Sequence, residues 1–132
     1  MKKEFIRGLV AAGLTSVANI IYAMVYQETL MLDFSQVVNT GAIIASSVIG
    51  CMLMSAGYMA LIKFNKLAWS GWLNIVIGVL SFASILGPIS MTLPLDVEFP
   101  EMFPGLVIPM HFIPALVFLT VQPFFYKTNL ED

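Results

Sequence analysis

The sequence predicts an all-α integral membrane protein: an antiparallel bundle of four transmembrane helices with both termini cytoplasmic, forming one domain over residues 1–132. Three observations carry that prediction. Hydrophobic residues make up 59% of the chain and charged residues 11%, whereas soluble domains average roughly 45–50% and about 25%. The charges fall into five short clusters, Lys2 to Arg7, Glu28 to Asp33, Lys63 to Lys66, Asp96 to Glu101 and Lys127 to Asp132. Each gap between them is close to the ~20 residues that an α-helix needs to cross ~30 Å of hydrocarbon. Finally, Lys2, Lys3, Arg7, Lys63, Lys66 and Lys127 stand at the N-terminus, after the second gap or after the fourth, while Glu28, Asp33, Asp96, Glu98 and Glu101 occupy the other two connections. Basic loops stay cytoplasmic, so the acidic loops are expected outside, and a bacterial inner (plasma) membrane is the expected location. A net charge of −2 arranged in this way gives no sign of nucleic-acid binding.

The first span is expected over about residues 5–26. Its apolar run is too long for a cleaved signal peptide, and no small-x-small site precedes the acidic loop. Tyr22 and Tyr26 mark its outer end, where aromatic rings favour the interface. Gly8, Ala12 and Ser16 recur every four residues, a stripe that lets another helix backbone come close. The second span, about 37–62, repeats the device with Ala42, Ser46 and Gly50, and beside it Ser47, Cys51 and Ser55. These stripes predict a hairpin of spans one and two. The single cysteine, Cys51, excludes an intrachain disulfide and a Cys-x-x-Cys redox pair.

The connection KFNK, residues 63–66, is short enough to make spans two and three neighbours. Span three, about 67–88, opens with Trp69 and Trp72 at the inner interface, carries Asn74 as an interhelical hydrogen-bonding group, and is expected to stop at Gly87-Pro88. The stretch ISMTLPLDVEFPEMFPG, residues 89–105, reads as an outer cap. Leu93, Leu95, Val97, Phe99, Met102 and Phe103 would otherwise face water, so they either fold down onto the bundle or rest on the headgroups. Span four, about 106–125, contains Pro109, expected to be harmless in its first turn, and Pro114, expected to bend the helix. Both prolines are candidate hinge positions.

VIPMHFIPALVFL, residues 107–119, places the only histidine inside that span. His111, Asn39, Asn19 and Ser84 fall at similar depth in the outer half of the membrane, which suggests an outward-facing polar pocket. An intramembrane ionisable group is read as functional by default, and an imidazole can take a proton, a metal or an anion near neutral pH. The competing reading is helix glue: a neutral His111 donating to the carbonyl of residue 110, freed by Pro114, or to Asn39.

Several chemistries lack their residues. One histidine and one distant cysteine do not make a metal cluster, so no metal or cofactor is expected. The acids that could orient His111 for hydrolysis lie on loops, and Ser84 has no elbow motif. A proton-coupled exporter would carry an acid within a span, whereas the acids here read as loop or tail residues. The nine methionines are scattered, as filler is. The chain is therefore not expected to be an enzyme.

The basic start from Lys2 to Arg7, the third span ending SFASILGP at 81–88 and the last span with its early histidine, MHFIPALVFL at 110–119, resemble a family of small bacterial four-helix membrane proteins catalogued as a domain of unknown function. The resemblance implies fold and size and transfers no activity. Two functions follow as expectations. The first is an accessory or interaction protein that binds a membrane-protein partner, or a second copy of itself, through its helix faces. The second is a protein that binds or passes a small apolar or weakly anionic ligand at the pocket around His111. In either case the lipid bilayer is its surroundings.

Overall fold

The computed structural model describes residues 1–126; Lys127, one of the six basic residues on which the orientation rests, lies outside them. The described chain is all helical: α1 (Lys2–Leu30), α2 (Thr40–Lys63), a 3-10 turn (Leu67–Trp69), α3 (Ser70–Ser84), α4 (Leu86–Ser90), a second 3-10 turn (Pro100–Met102), α5 (Phe103–Thr120) and α6 (Gln122–Phe125). Four stretches are long and apolar enough to cross a membrane, Lys2–Leu30, Thr40–Lys63, Leu67–Ser90 and Pro100–Phe125. The first, third and fourth stretches run longer than the sequence suggests, whereas the second is shorter, because α2 starts only at Thr40, after its N-cap Asn39.

Helix α1 is the centre of the assembly. It packs most extensively on α2 and next on α5, and a single stripe from Glu4 through Arg7, Gly8, Ala11, Ala12, Thr15, Ser16 and Asn19 to Ala23 is buried. Its partners descend in number along α2 as α1 ascends: Glu4 with Ser55, Thr15 with Cys51 and Asn19 with Ser47. The same holds against α5 and the 3-10 turn that leads into it, where Asn19 meets Met110, Tyr22 meets Gly105 and Tyr26 meets Met102. Gly8 lies tight against α2. A Cβ there would stand 2.8 Å from Cβ of Ser55, a distance no side chain tolerates without backbone movement.

The α2 stripe differs from the one expected. Ile43, Ser47, Cys51, Ser55 and Tyr58 are buried, whereas Ala42 and Ser46 are exposed and Gly50 is half-buried toward Pro114. Both stripes have helical spacing, and the one that turns inward is the one whose hydroxyl and thiol groups find partners on α1.

Proline placement also corrects the sequence reading. Gly87-Pro88 does not end the third span. Instead α3 stops at Ser84, whose carbonyl Pro88 cannot bond for want of an N–H, and the chain resumes as α4 to Ser90. Because α5 begins at Phe103, Pro104 takes the tolerated first-turn position and Pro109 lies inside the helix with Pro114. The cap shortens accordingly to the irregular residues 91–99. There Val97 is buried and Leu93 packs against the apolar cluster to which Val97, Phe34, Phe103 and Leu106 belong, while Leu95 and Phe99 stay exposed.

Candidate functional site

The four residues expected to form an outer pocket are each held separately. His111 is half-buried, and its Nδ1 lies 2.7 Å from the carbonyl oxygen of Val107 on the preceding turn of its own helix. Asn39 precedes α2 as its N-cap, accepting from the Ala42 N–H at 2.8 Å. Ser84 is exposed and donates to the Ser81 carbonyl at 2.7 Å. Only Asn19 is buried between helices. No hydrogen bond joins any two of the four among the described residues.

The carbonyls that the prolines free are used, but by α1. A proline at position i leaves the carbonyl at i−4 without its helical donor. Asn19 Nδ2 lies 3.5 Å from the Met110 oxygen freed by Pro114, the oxygen that the sequence assigned to His111. Tyr22 Oη donates at 2.7 Å to the Gly105 oxygen freed by Pro109. Both proline positions of α5 are thereby tied to α1, so Pro109 and Pro114 are braced points in this conformation.

The densest polar chemistry lies at the opposite end of the bundle. Glu4 and Arg7, one helical turn apart on α1, have no exposed side-chain surface and form an ion pair of 3.0 Å from Nη2 to Oε2. The pair is close but misaligned: Arg7 Nε, Nη1 and Nη2 and Glu4 Oε2 have no hydrogen-bond partner among the described residues. Around the guanidinium stand three rings, with centroids 4.0 Å away for Tyr58, 4.2 Å for Phe118 and 5.8 Å for Tyr126. Such faces attract a cation through the ring quadrupole. The Tyr126 hydroxyl donates to Glu4 Oε1. The Tyr58 hydroxyl donates to Asn74 Oδ1 and lies 3.2 Å from Gln122 Oε1, which fixes that ring. Asn74 is thus the interhelical hydrogen-bonding group the sequence suggests.

This cluster corrects the assignment of every acid to a loop or tail, since Glu4 is inside α1 and fully buried. A signal for it was present: Glu4, Gly8, Ala12 and Ser16 are spaced at four, so the acid continues the small-residue stripe onto the buried face.

Two clefts lie toward the cap end. One of about 180 Å³ opens between α1 and α2 at the cap end, bounded by Ile20, Gln27, Ser35, Asn39, Thr40 and Ile43. The other, about 320 Å³, lies under the cap and is largely apolar, with Pro88, Leu93, Pro94, Val97 and Phe103 in its walls. His111 borders neither. No group of three or more His, Cys, Asp or Glu side chains able to hold a metal occurs among the described residues. The fold and these sites describe a multi-pass helical membrane protein. Comparison with protein-family models, curated proteins and solved structures finds no match.

Proposed function

We propose that the protein is an accessory subunit of the bacterial inner membrane, an antiparallel four-helix bundle with cytoplasmic termini that binds another membrane protein, or a second copy of itself, through outward helix faces. The observation that carries this reading is the uneven burial of the spans. In the most apolar stretch of the third span 11% of residues are buried, against 39% for the first. The third span therefore adds little to the bundle's own core and presents Trp72, Val76, Val79, Leu80 and Phe82 outward. Ala42 and Ser46 add a second outward face, of small side chains that allow close helix approach. The stripe on α1 is not available to a partner, because α2 and α5 already cover it.

Photo-crosslinkers placed singly at Val79, Leu80 and Ser46 in the native membrane test the reading. A discrete protein adduct is expected at one of these faces, and lipid adducts alone at all three would refute it.

A ligand-binding reading is supported by the cleft of about 180 Å³ beside Asn39 and by the buried Asn19 Oδ1, which has no partner among the described residues. His111 has no part in that cleft. Saturable binding of a small ligand, abolished by Thr40→Leu and unaffected by His111→Gln, would favour this second reading over the first.

A further inference from the structure

We propose that Glu4, Tyr58, Phe118 and Tyr126 form a binding site for a quaternary ammonium group, and that Arg7 is the tethered cation that occupies the site when no ligand is bound. The site has the two elements that recognise an organic cation. Glu4 supplies the counter-charge at 3.0 Å, and the rings of Tyr58 and Phe118 supply faces at 4.0 and 4.2 Å, inside the ~6 Å range of a cation–π contact. The rings are set for it: Tyr58 is anchored through Asn74 and Gln122, and Tyr126 is anchored to the carboxylate itself.

The mismatch between Arg7 and its surroundings selects the class of ligand. A guanidinium carries five N–H donors, and buried donors are nearly always paired. Here Nε, Nη1 and Nη2 make no hydrogen bond among the described residues although the side chain is fully buried. The surroundings thus recognise charge and shape through the ring faces, and the one acceptor within reach of the guanidinium is Glu4 Oε2, close but out of line with its N–H groups. A trimethylammonium group has the same charge, presents only methyl groups to the rings, and leaves no donor orphaned. Arg7 has somewhere to go: it lies five residues into α1, about 8 Å from the helix start, and its long stem can carry the guanidinium to the headgroup region.

The test uses tetramethylammonium chloride as the probe, against sodium chloride at equal ionic strength, with protein in a maltoside detergent. Binding is read from the ring resonances of Tyr58 and Tyr126 and from the thermal transition. Arg7→Ala vacates the site, so tetramethylammonium is expected to bind this variant at least tenfold more tightly than wild type and to raise its transition temperature. Adding Glu4→Gln to Arg7→Ala should abolish the binding. Equal affinity for wild type and Arg7→Ala, or binding that survives Glu4→Gln, would overturn the proposal. Should Arg7→Ala not fold, the wild-type titration decides: saturable shifts of the Tyr58 and Tyr126 rings support the site, and their absence over the full range removes it. Repeating the titration in nanodiscs of choline or ethanolamine phospholipid identifies the source. Competition from the choline lipid alone points to a headgroup, and equal binding in both points to a soluble quaternary amine.

Discussion

Glu4 and Arg7 show how much one helical turn can change the meaning of a charge. At the end of a span, acids and bases are ordinarily solvated, and desolvating an ion costs several kcal/mol even after the protein relaxes. Here attraction at 3.0 Å, three aromatic faces and the Tyr126 hydroxyl offset that cost. Removing one partner leaves the other buried alone, so Arg7→Met by itself is expected to destabilise the protein by about 3–5 kcal/mol. The double variant Glu4→Gln with Arg7→Met should recover most of that loss, measured by reversible unfolding in mixed micelles; equal and additive losses would argue against a coupled pair. His111 behaves in the opposite way, as an intramembrane histidine held by its own helix. Its contact with the Val107 carbonyl requires the proton on Nδ1, so nitrogen NMR of the ring should find the Nδ1–H tautomer in the neutral form. The sequence made legible that one histidine stands inside the fourth span, at 111. It could not reveal which carbonyl the ring meets, because that depends on the rotamer and on Asn19 having taken the Met110 oxygen.

Among the elements, the helix ends and the α1–α2 contact carry the testable energetics. Helix α1 ends in a Schellman turn, with Leu32 N–H on the Gln27 carbonyl at 2.9 Å and Met31 N–H on that of Glu28 at 3.4 Å. Met31 adopts φ 53° there, where a side chain costs roughly 1 kcal/mol that glycine does not. Met31→Gly should therefore stabilise the protein by about 0.5–1 kcal/mol, and a loss of stability would show that the turn geometry is wrong. The α2 end uses the same turn with Asn65 at φ 54°, a residue that tolerates it. In the contact itself Gly8 leaves no room for a methyl group against Ser55, so Gly8→Ala is expected to cost about 1–3 kcal/mol through forced separation of the helices. Ala42→Val on the exposed stripe should cost under about 0.5 kcal/mol in the isolated bundle. The small-x-x-x-small pattern was readable in both helices, but the choice between two adjacent stripes on α2 was not. Rotating a helix by one residue exchanges them, and only the pairing of Ser47, Cys51 and Ser55 with α1 fixes the rotation.

For the whole molecule, the proposed topology places residues 1–3 and the 63–66 turn on one side of the membrane and the irregular segment 91–99 on the other. Single cysteines at Lys2, Lys66 and Asp96, introduced with Cys51→Ser, should react with an impermeant maleimide in intact cells only at position 96; labelling at position 2 instead would invert the orientation. Amino-acid composition and the spacing of charge clusters by themselves determined the membrane environment, the number of spans and their approximate limits. Each of these depends on counting apolar residues against the thickness of hydrocarbon, a one-dimensional quantity. Tertiary structure alone decided which helix is central, which face of α2 turns inward, how α1 ties down the carbonyls that Pro109 and Pro114 free on α5, and that Glu4 and Arg7 are buried beside Tyr58, Phe118 and Tyr126. These depend on helix rotation and on partners as far as 122 positions apart in the chain, and pairings at that range are set by packing rather than by local sequence.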